Sequence, residues 1–297
     1  MFGKQAPDLF IREVYNSESQ TITTSVNPLA PKKINAYGHI ASLLVDVSIT
    51  ITKGTGTIDT TAYPYTIISN LVIRDKNSKP ILETTGARIP KMRFIMTMAN
   101  ALDFAQYRKG VYGAGTALTD VGTAQTYQVE LPLNINVDDQ PISVELQLGV
   151  LSDVLSTVGT GSAVCTIQFS TKNVQTPVPN VETQRFYAVS LGSISDKQTF
   201  EQRLVRGITF DQVALDMTAD ANLTSCSLKP KGTNVGLDAV KAKYLQMWSN
   251  TELTSGHQTG FYILPHAPFV SGDATIFEIE PSTTVTPILY VAHRGVR

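Results

Sequence analysis

The sequence predicts an all-β protein in which one plan is used twice, giving two tandem barrels that each carry a short flanking helix. Three observations lead there. Apolar residues recur at every second position along most of the 297 residues, only two stretches switch to a helical period, and the order of elements in the first half returns in the second.

The alternation is regular enough to assign faces. Val45, Val47, Ile49 and Ile51 alternate with Asp46, Ser48, Thr50 and Thr52, and Ile142, Val144, Leu146 and Leu148 with Ser143, Glu145, Gln147 and Gly149. Cys165, Ile167 and Phe169 repeat the pattern against Thr166, Gln168 and Ser170, as do Val213, Leu215 and Met217 against Ala214, Asp216 and Thr218. Near the C-terminus Phe277 and Ile279 alternate with Glu278 and Glu280, and Leu289 and Val291 with Tyr290 and Ala292. Successive side chains of a strand point to opposite faces, so each run reads as a half-buried strand.

The two exceptions read as helices. Over residues 89–104, Met92, Ile95, Met96 and Ala99 fall at helical spacing, and Pro90 suits a first turn, where its missing N–H is not needed. Over residues 237–250, Leu237, Val240, Tyr244, Met247 and Trp248 make one apolar stripe while Lys241 and Lys243 lie off it.

Set side by side, each half runs through strands, a helix and then a strand with a Leu-Pro step, "TYQVELPLNI" at 126–135 and "TGFYILPHAP" at 259–268. Pro132 and Pro265 therefore predict equivalent strands. The stretch 171–184, "TKNVQTPVPNVETQ", reads as an extended linker, because Pro177 and Pro179 remove ladder donors, and the boundary is placed near Pro179. Each half has enough strands for a two-sheet barrel closed by jelly-roll wrapping, whereas a parallel α/β fold would need many more crossover helices.

Composition removes several function classes. The 24 Lys plus Arg nearly balance 25 Asp plus Glu, so no basic field exists to hold a phosphate backbone, and direct nucleic-acid binding is not expected. Cys165 and Cys226, each inside an apolar run, read as buried free thiols, and no metal spacing accompanies them. The start "MFGKQAPDLFIREV" lacks the apolar core of a signal peptide, and no stretch reaches the roughly 18 apolar residues that span a bilayer. Synthesis in a cytoplasm-like compartment is the expectation.

No catalytic constellation emerges, and the chain is read as a non-enzyme without cofactor or metal. His39, His257, His266 and His293 are scattered, and no Gly-x-Ser-x-Gly elbow is present. His293 ends a strand on its apolar parity and reads as a packed or rim residue. "GVYGAG" at 110–115 lacks the lysine of a phosphate loop. Asp138 and Asp139 offer hard oxygen ligands of the calcium type but read better as a solvated turn. Glu278 and Glu280 share one strand face, the outline of a glycosidase pair, which a row of solvated acids explains equally well.

One difference between the halves stands out. The span from Asn100 to Pro132 is about twice that from Asn250 to Pro265, and the excess, "AQYRKGVYGAGTALTDVGTA", is rich in Gly, Ala and Thr. A long loop of this kind is usually surface and often functional. It is expected at the outer end of the first barrel, with Tyr107 and Tyr112 as candidate outer-loop contacts. The same tyrosines support the alternative function, a carbohydrate- or receptor-binding β-sandwich of lectin or spike type, since Trp248 lies on an apolar helix stripe.

The element order, with "ISNLVIRDKNSKPILETT", a helix, paired strands ending in "AVCTIQFSTKN", and the same cycle closing on "PILYVAHRGV", resembles the double-jelly-roll major capsid proteins of tailless icosahedral viruses with an internal membrane, such as corticoviruses, tectiviruses and finnlake-type phages. The resemblance covers about Ser17 to Val296. It implies two eight-stranded barrels per subunit and a homotrimer with a pseudo-hexameric footprint. These trimers tile a lattice over a lipid vesicle alongside minor capsid and vertex proteins, in a virion assembled from protein made in the host cytoplasm. It further implies an N-terminal arm over residues 1–15, a first jelly roll over 16–178 and a second over 179–297. Within the arm, Phe2, Leu9, Phe10, Lys4 and Arg12 become candidate contacts to the membrane side or to neighbouring subunits.

Overall fold

The computed structural model describes residues 9–16, 19–35, 38–99, 115–119, 122–174, 182–200, 208–217, 222–229, 237–241, 260–264, 269–270 and 276–295. Two compact units divide the chain. One comprises Met1–Pro90 with Ala114–Thr183, the other Lys91–Gly113 with Gln184–Arg297.

In the first unit the strands are β1 (Leu9–Asn16), β2 (Gln20–Ile22), β3 (Asn27–Pro28), β4 (Lys32–Ile34), β5 (His39–Thr52), β6 (Thr57–Ile58), β7 (Ile68–Arg74) and β8 (Pro80–Thr84), then β9 (Gln125–Ile135), β10 (Ile142–Leu148), β11 (Leu155–Thr157) and β12 (Ser162–Val174). One sheet runs β1-β12-β5-β9, with β2 also on β12. A second contains β8-β7-β10-β3, with β4 also on β10, and the short pair β11-β6 stands apart. All of these pairings are antiparallel.

The alternation read from the sequence sets the first core. Val45, Val47, Ile49 and Ile51 of β5, Val129, Leu131 and Leu133 of β9, and Cys165, Ile167 and Phe169 of β12 are all buried, while Asp46, Ser48, Thr50, Gln168 and Ser170 stay partly exposed. On the other sheet Ile142, Val144, Leu146 and Leu148 are buried and Ser143, Glu145 and Gln147 are not.

The second unit holds the helix α1 (Ile89–Ala99) from Lys91 onward, with β13 (Arg185–Ser190), β14 (Gln198–Thr199), β15 (Thr209–Asp216), β16 (Leu223–Lys229), β17 (Leu237–Lys241), β18 (Phe261–Leu264), β19 (Phe269–Val270), β20 (Ile276–Pro281) and β21 (Ile288–Arg294). The order β18-β15-β21-β13 forms one sheet, with β19 also on β15, and β14-β20-β16-β17 forms the other. Val213, Leu215, Leu264, Leu289 and Val291 from the first meet Cys226, Leu228, Phe277 and Ile279 from the second in one apolar cluster.

Three sequence expectations need correction. Residues 237–241, read as the start of a helix over 237–250, form strand β17, paired antiparallel to β16 with Leu228 opposite Leu237 and Ser225 opposite Lys241. Backbone pairing to a neighbouring strand outweighs a helical apolar stripe, because propensity is a weak local term. Residues 242–250 lie outside the described residues, as do 100–104 of the first predicted helix. The stretch 171–184, expected as an extended linker, is not one at either end, since Thr171 to Val174 continue β12 against β5 and Thr183 and Gln184 are buried, while 175–181 lie outside the described residues. Ala214, Asp216, Tyr290 and Ala292, expected on exposed faces, are buried too.

Candidate functional site

The face of β12-β5-β9 turned away from the first core is lined with polar side chains, and strand register decides which of them meet. Asp46 stands opposite Gln128 and Gln168, Leu44 opposite Glu130 and Ser170, and Ser42 opposite Pro132 and Lys172. Ser42 Oγ donates to Glu130 Oε1 at 2.6 Å, Lys172 Nζ donates to the same oxygen at 3.1 Å, and Gln128 Nε2 donates to Asp46 Oδ2 at 2.7 Å. A recess of about 310 Å³ lies here, lined by Leu44, Asp46, Gln128, Glu130, Gln168 and Ser170. Each carboxylate is already engaged by a neighbouring donor, so the face is ordered for polar contact and has no unmatched acid and base.

At the end of this unit where β5 stops and β12 starts, two glycine-rich turns interlock. Thr55 N–H donates to Thr160 Oγ1 at 3.0 Å and Thr160 N–H donates to Thr55 Oγ1 at 3.1 Å. Gly56 is required by close approach, because a Cβ there would overlap the carbonyl oxygens of Thr157 and Val158. The lead into β9 arrives at the same end. Gln125 Oε1 accepts from Thr119 N–H at 2.8 Å and its Nε2 donates to Thr119 O at 2.8 Å, while Leu118 N–H donates to Ala62 O at 2.8 Å. Leu118 is fully buried, so this stretch of the predicted surface loop is a core strap.

At the opposite end, Asp138 and Asp139 form a 3-10 turn after Asn136. Asn136 Oδ1 caps Asp138 N–H at 3.2 Å, and Thr183 Oγ1 donates to Asp139 Oδ2. Asp139 is thus part of a hydrogen-bonded turn. Among the described residues no group of three or more His, Cys, Asp or Glu side chains is arranged to hold a metal.

In the second unit, Ser227 Oγ donates to Glu278 Oε2 at 3.1 Å, Thr199 Oγ1 to Glu278 Oε1 at 3.3 Å, and Ser225 Oγ to Glu280 Oε2 at 2.7 Å. The Ser227 hydroxyl leads in holding the Glu278 carboxyl below its ordinary value, with Lys197 assisting. A glycosidase general acid needs the opposite shift. Asp211, its carboxylate fully buried, accepts from Arg294 Nε at 2.9 Å and 3.0 Å and lies 2.8 Å from Arg294 Nη2. His293 is buried between the rings of Tyr187 and Phe210. Cys165 and Cys226 are buried free thiols, and burial pushes Cys165 up to about 12 and Cys226 higher.

Of the contacts expected from sequence, Leu9, Phe10 and Arg12 lie on β1, opposite Val174, Asn173 and Thr171 of β12. Phe2, Lys4, Tyr107 and Tyr112 lie outside the described residues, as do His257, His266, Trp248 and Pro265. Sequence reasoning passed over the Ser42–Glu130–Lys172 group. Strand parity places all three on one face, but only the pairing of three distant strands brings them together.

The architecture is that of the double jelly roll. No family model matches the chain, and no curated protein matches it in sequence. In structure it is similar to the major capsid protein of Sulfolobus Turreted Icosahedral Virus, at 12% identity and TM-score 0.67 over 97% of each chain. It is similar also to the faustovirus major capsid protein, at 9% identity and TM-score 0.57 over 98% of this chain and 90% of that one. A third likeness is to the major capsid protein P2 of bacteriophage PM2, at 9% identity and TM-score 0.51 over 98% of both.

Proposed function

We propose that this chain is the major capsid protein of an icosahedral virus, a structural subunit of the virion. The observation that carries the reading is the fold likeness to the Sulfolobus Turreted Icosahedral Virus capsid protein over 97% of both chains, which leaves almost nothing of either protein unaccounted for. Low identity limits the likeness to fold, and function rests on the economy of the design. Two similar barrels give one subunit two lattice positions, and three subunits related by a threefold axis give a pseudo-hexameric trimer through one heterologous interface repeated three times.

Such an interface belongs to the obligate class, on the order of 2,000 Å² per pair. The polar face of β12-β5-β9 and the ordered turns around Thr55 and Thr160 suit side-by-side packing and outward display. The residues 1–15, including Phe2, Lys4, Leu9, Phe10 and Arg12, are proposed to reach the membrane side or a neighbouring subunit. One basic side chain near an anionic surface contributes about 1 kcal/mol, so lipid attraction becomes effective through repetition over a lattice.

Sedimentation of the dissociated, folded protein tests this. A stable species near three times the chain mass of 32.3 kDa is expected. A monomer at every accessible concentration would remove the capsid reading and favour the carbohydrate- or receptor-binding alternative. Co-sedimentation with anionic vesicles, compared before and after removal of residues 1–8, tests the membrane-side role separately.

A further inference from the structure

The sheet β18-β15-β21 in the second unit is apolar on both faces. One face joins the apolar cluster through Val213, Leu215, Leu264, Leu289 and Val291. The other presents Ala214, Phe261, Ile263, Tyr290 and Ala292, each buried as well. A sheet with two apolar faces needs a layer on each.

Helix α1 packs on the second face at Phe261 and Asp216. The Phe94 ring meets the Phe261 ring edge-on at 5.7 Å and 81°, and Phe261 meets Tyr290 at 5.6 Å and 80°. Lys91 donates to Asp216 at the end of β15, with its ammonium 6.0 Å from the centre of the Phe261 ring. Met92, Phe94, Ile95 and Met96 are all fully buried. Yet α1 is written in the first half of the sequence. The chain enters the second unit at Lys91, leaves it after Gly113 and returns at Gln184.

We infer that α1 is a resident structural ligand of the second unit, and that its undocking opens that unit while the first stays closed. The helix seats Phe94 on Phe261, which in turn packs on Tyr290, and Lys91 on Asp216, so on this reading the apolar face around Phe261 is kept from water by an upstream segment. Completion of the second barrel is thereby made conditional on a piece of chain that precedes it.

Two buried thiols report on the two units separately. Cys165 lies in the core of the first and Cys226 in the core of the second, each 1% exposed. In the full chain under native conditions, timed labelling with a thiol reagent and peptide mass spectrometry gives the opening rate at each. Phe94→Ala is expected to speed labelling of Cys226 at least about tenfold with Cys165 unchanged, because removing a buried aromatic weakens the layer it fills. Lys91→Ala and Phe94→Leu, milder changes, should move Cys226 alone in the same direction and carry the test where Phe94→Ala unfolds the whole chain. Ile167→Ala in the first core should do the reverse. Equal acceleration of both thiols by the milder variants, acceleration of Cys165 alone, or no change at Cys226 overturns the inference.

Discussion

Lys91, in the first turn of α1, donates to the carboxylate of Asp216 at the C-terminal end of β15, so a helix from the first half of the sequence is fastened by charge to a strand of the second unit. Asp216 is only 7% exposed at its side chain and Lys91 21%, which puts the pair well inside the surface. Removing one partner of such a pair leaves the other charge poorly solvated.

Lys91→Met is therefore expected to lower stability by about 3 kcal/mol, read from the urea midpoint. Lys91→Met combined with Asp216→Asn should cost less than the two single changes added together, since the second change removes the stranded charge. Strict additivity would show that the two side chains do not depend on each other.

Leu118→Ala tests the strap that leads into β9. The side chain is fully buried and its backbone is bonded to Ala62, so the expected loss is about 3 kcal/mol, within the range for a buried leucine. A thermal midpoint indistinguishable from the parent would mean that the strap is only surface.

His39 gives a pH dependence with a definite sign. Burial lowers its pKa from the ordinary 6.5, opposed in part by the Asn134 side chain 3.5 Å away. As pH falls through 6.5 the unfolded chain takes up a proton that the folded protein resists, so stability declines and continues to decline until the folded pKa is reached. The urea midpoint at about pH 5.5 should lie below that at about pH 7.5, and His39→Gln should narrow the gap. An unchanged gap in the variant would assign the slope to other groups. Glu278 acts in a separate, more acidic window. Its pKa is depressed from 4.5, so its contribution is present above 4.5 and is lost as pH falls through the folded value.

Gly86 sits against the chain at the entry to α1, where a Cβ would overlap the carbonyl oxygen of Tyr65 and crowd that of Ile68. Backbone cannot yield as a flexible side chain can. Gly86→Ala should cost about 2 kcal/mol or more in a denaturant melt, and a neutral result would show that the turn has room to shift.

By itself the sequence determined most of the strands it named and, in the first unit, which of their faces is buried. Val45, Val47, Ile49 and Ile51 point inward because side-chain period in a strand is set by its own backbone, whatever strand lies beside it. The helix over 89–99 was legible for the same reason, with Pro90 in the first turn. The order of elements brought the double jelly roll into view through its resemblance to that family, although the second of the two predicted helices begins as strand β17. Three features were decided only by tertiary structure. Leu237 to Lys241 became a strand because β16 offered backbone partners, which outweigh a weak local preference for helix. The polar group of Ser42, Glu130 and Lys172 exists because β5, β9 and β12 pair in one register. The seat of α1 on Phe261 and Asp216 was hidden as well, because an apolar stripe states that a helix must be covered and carries no information about the surface that covers it.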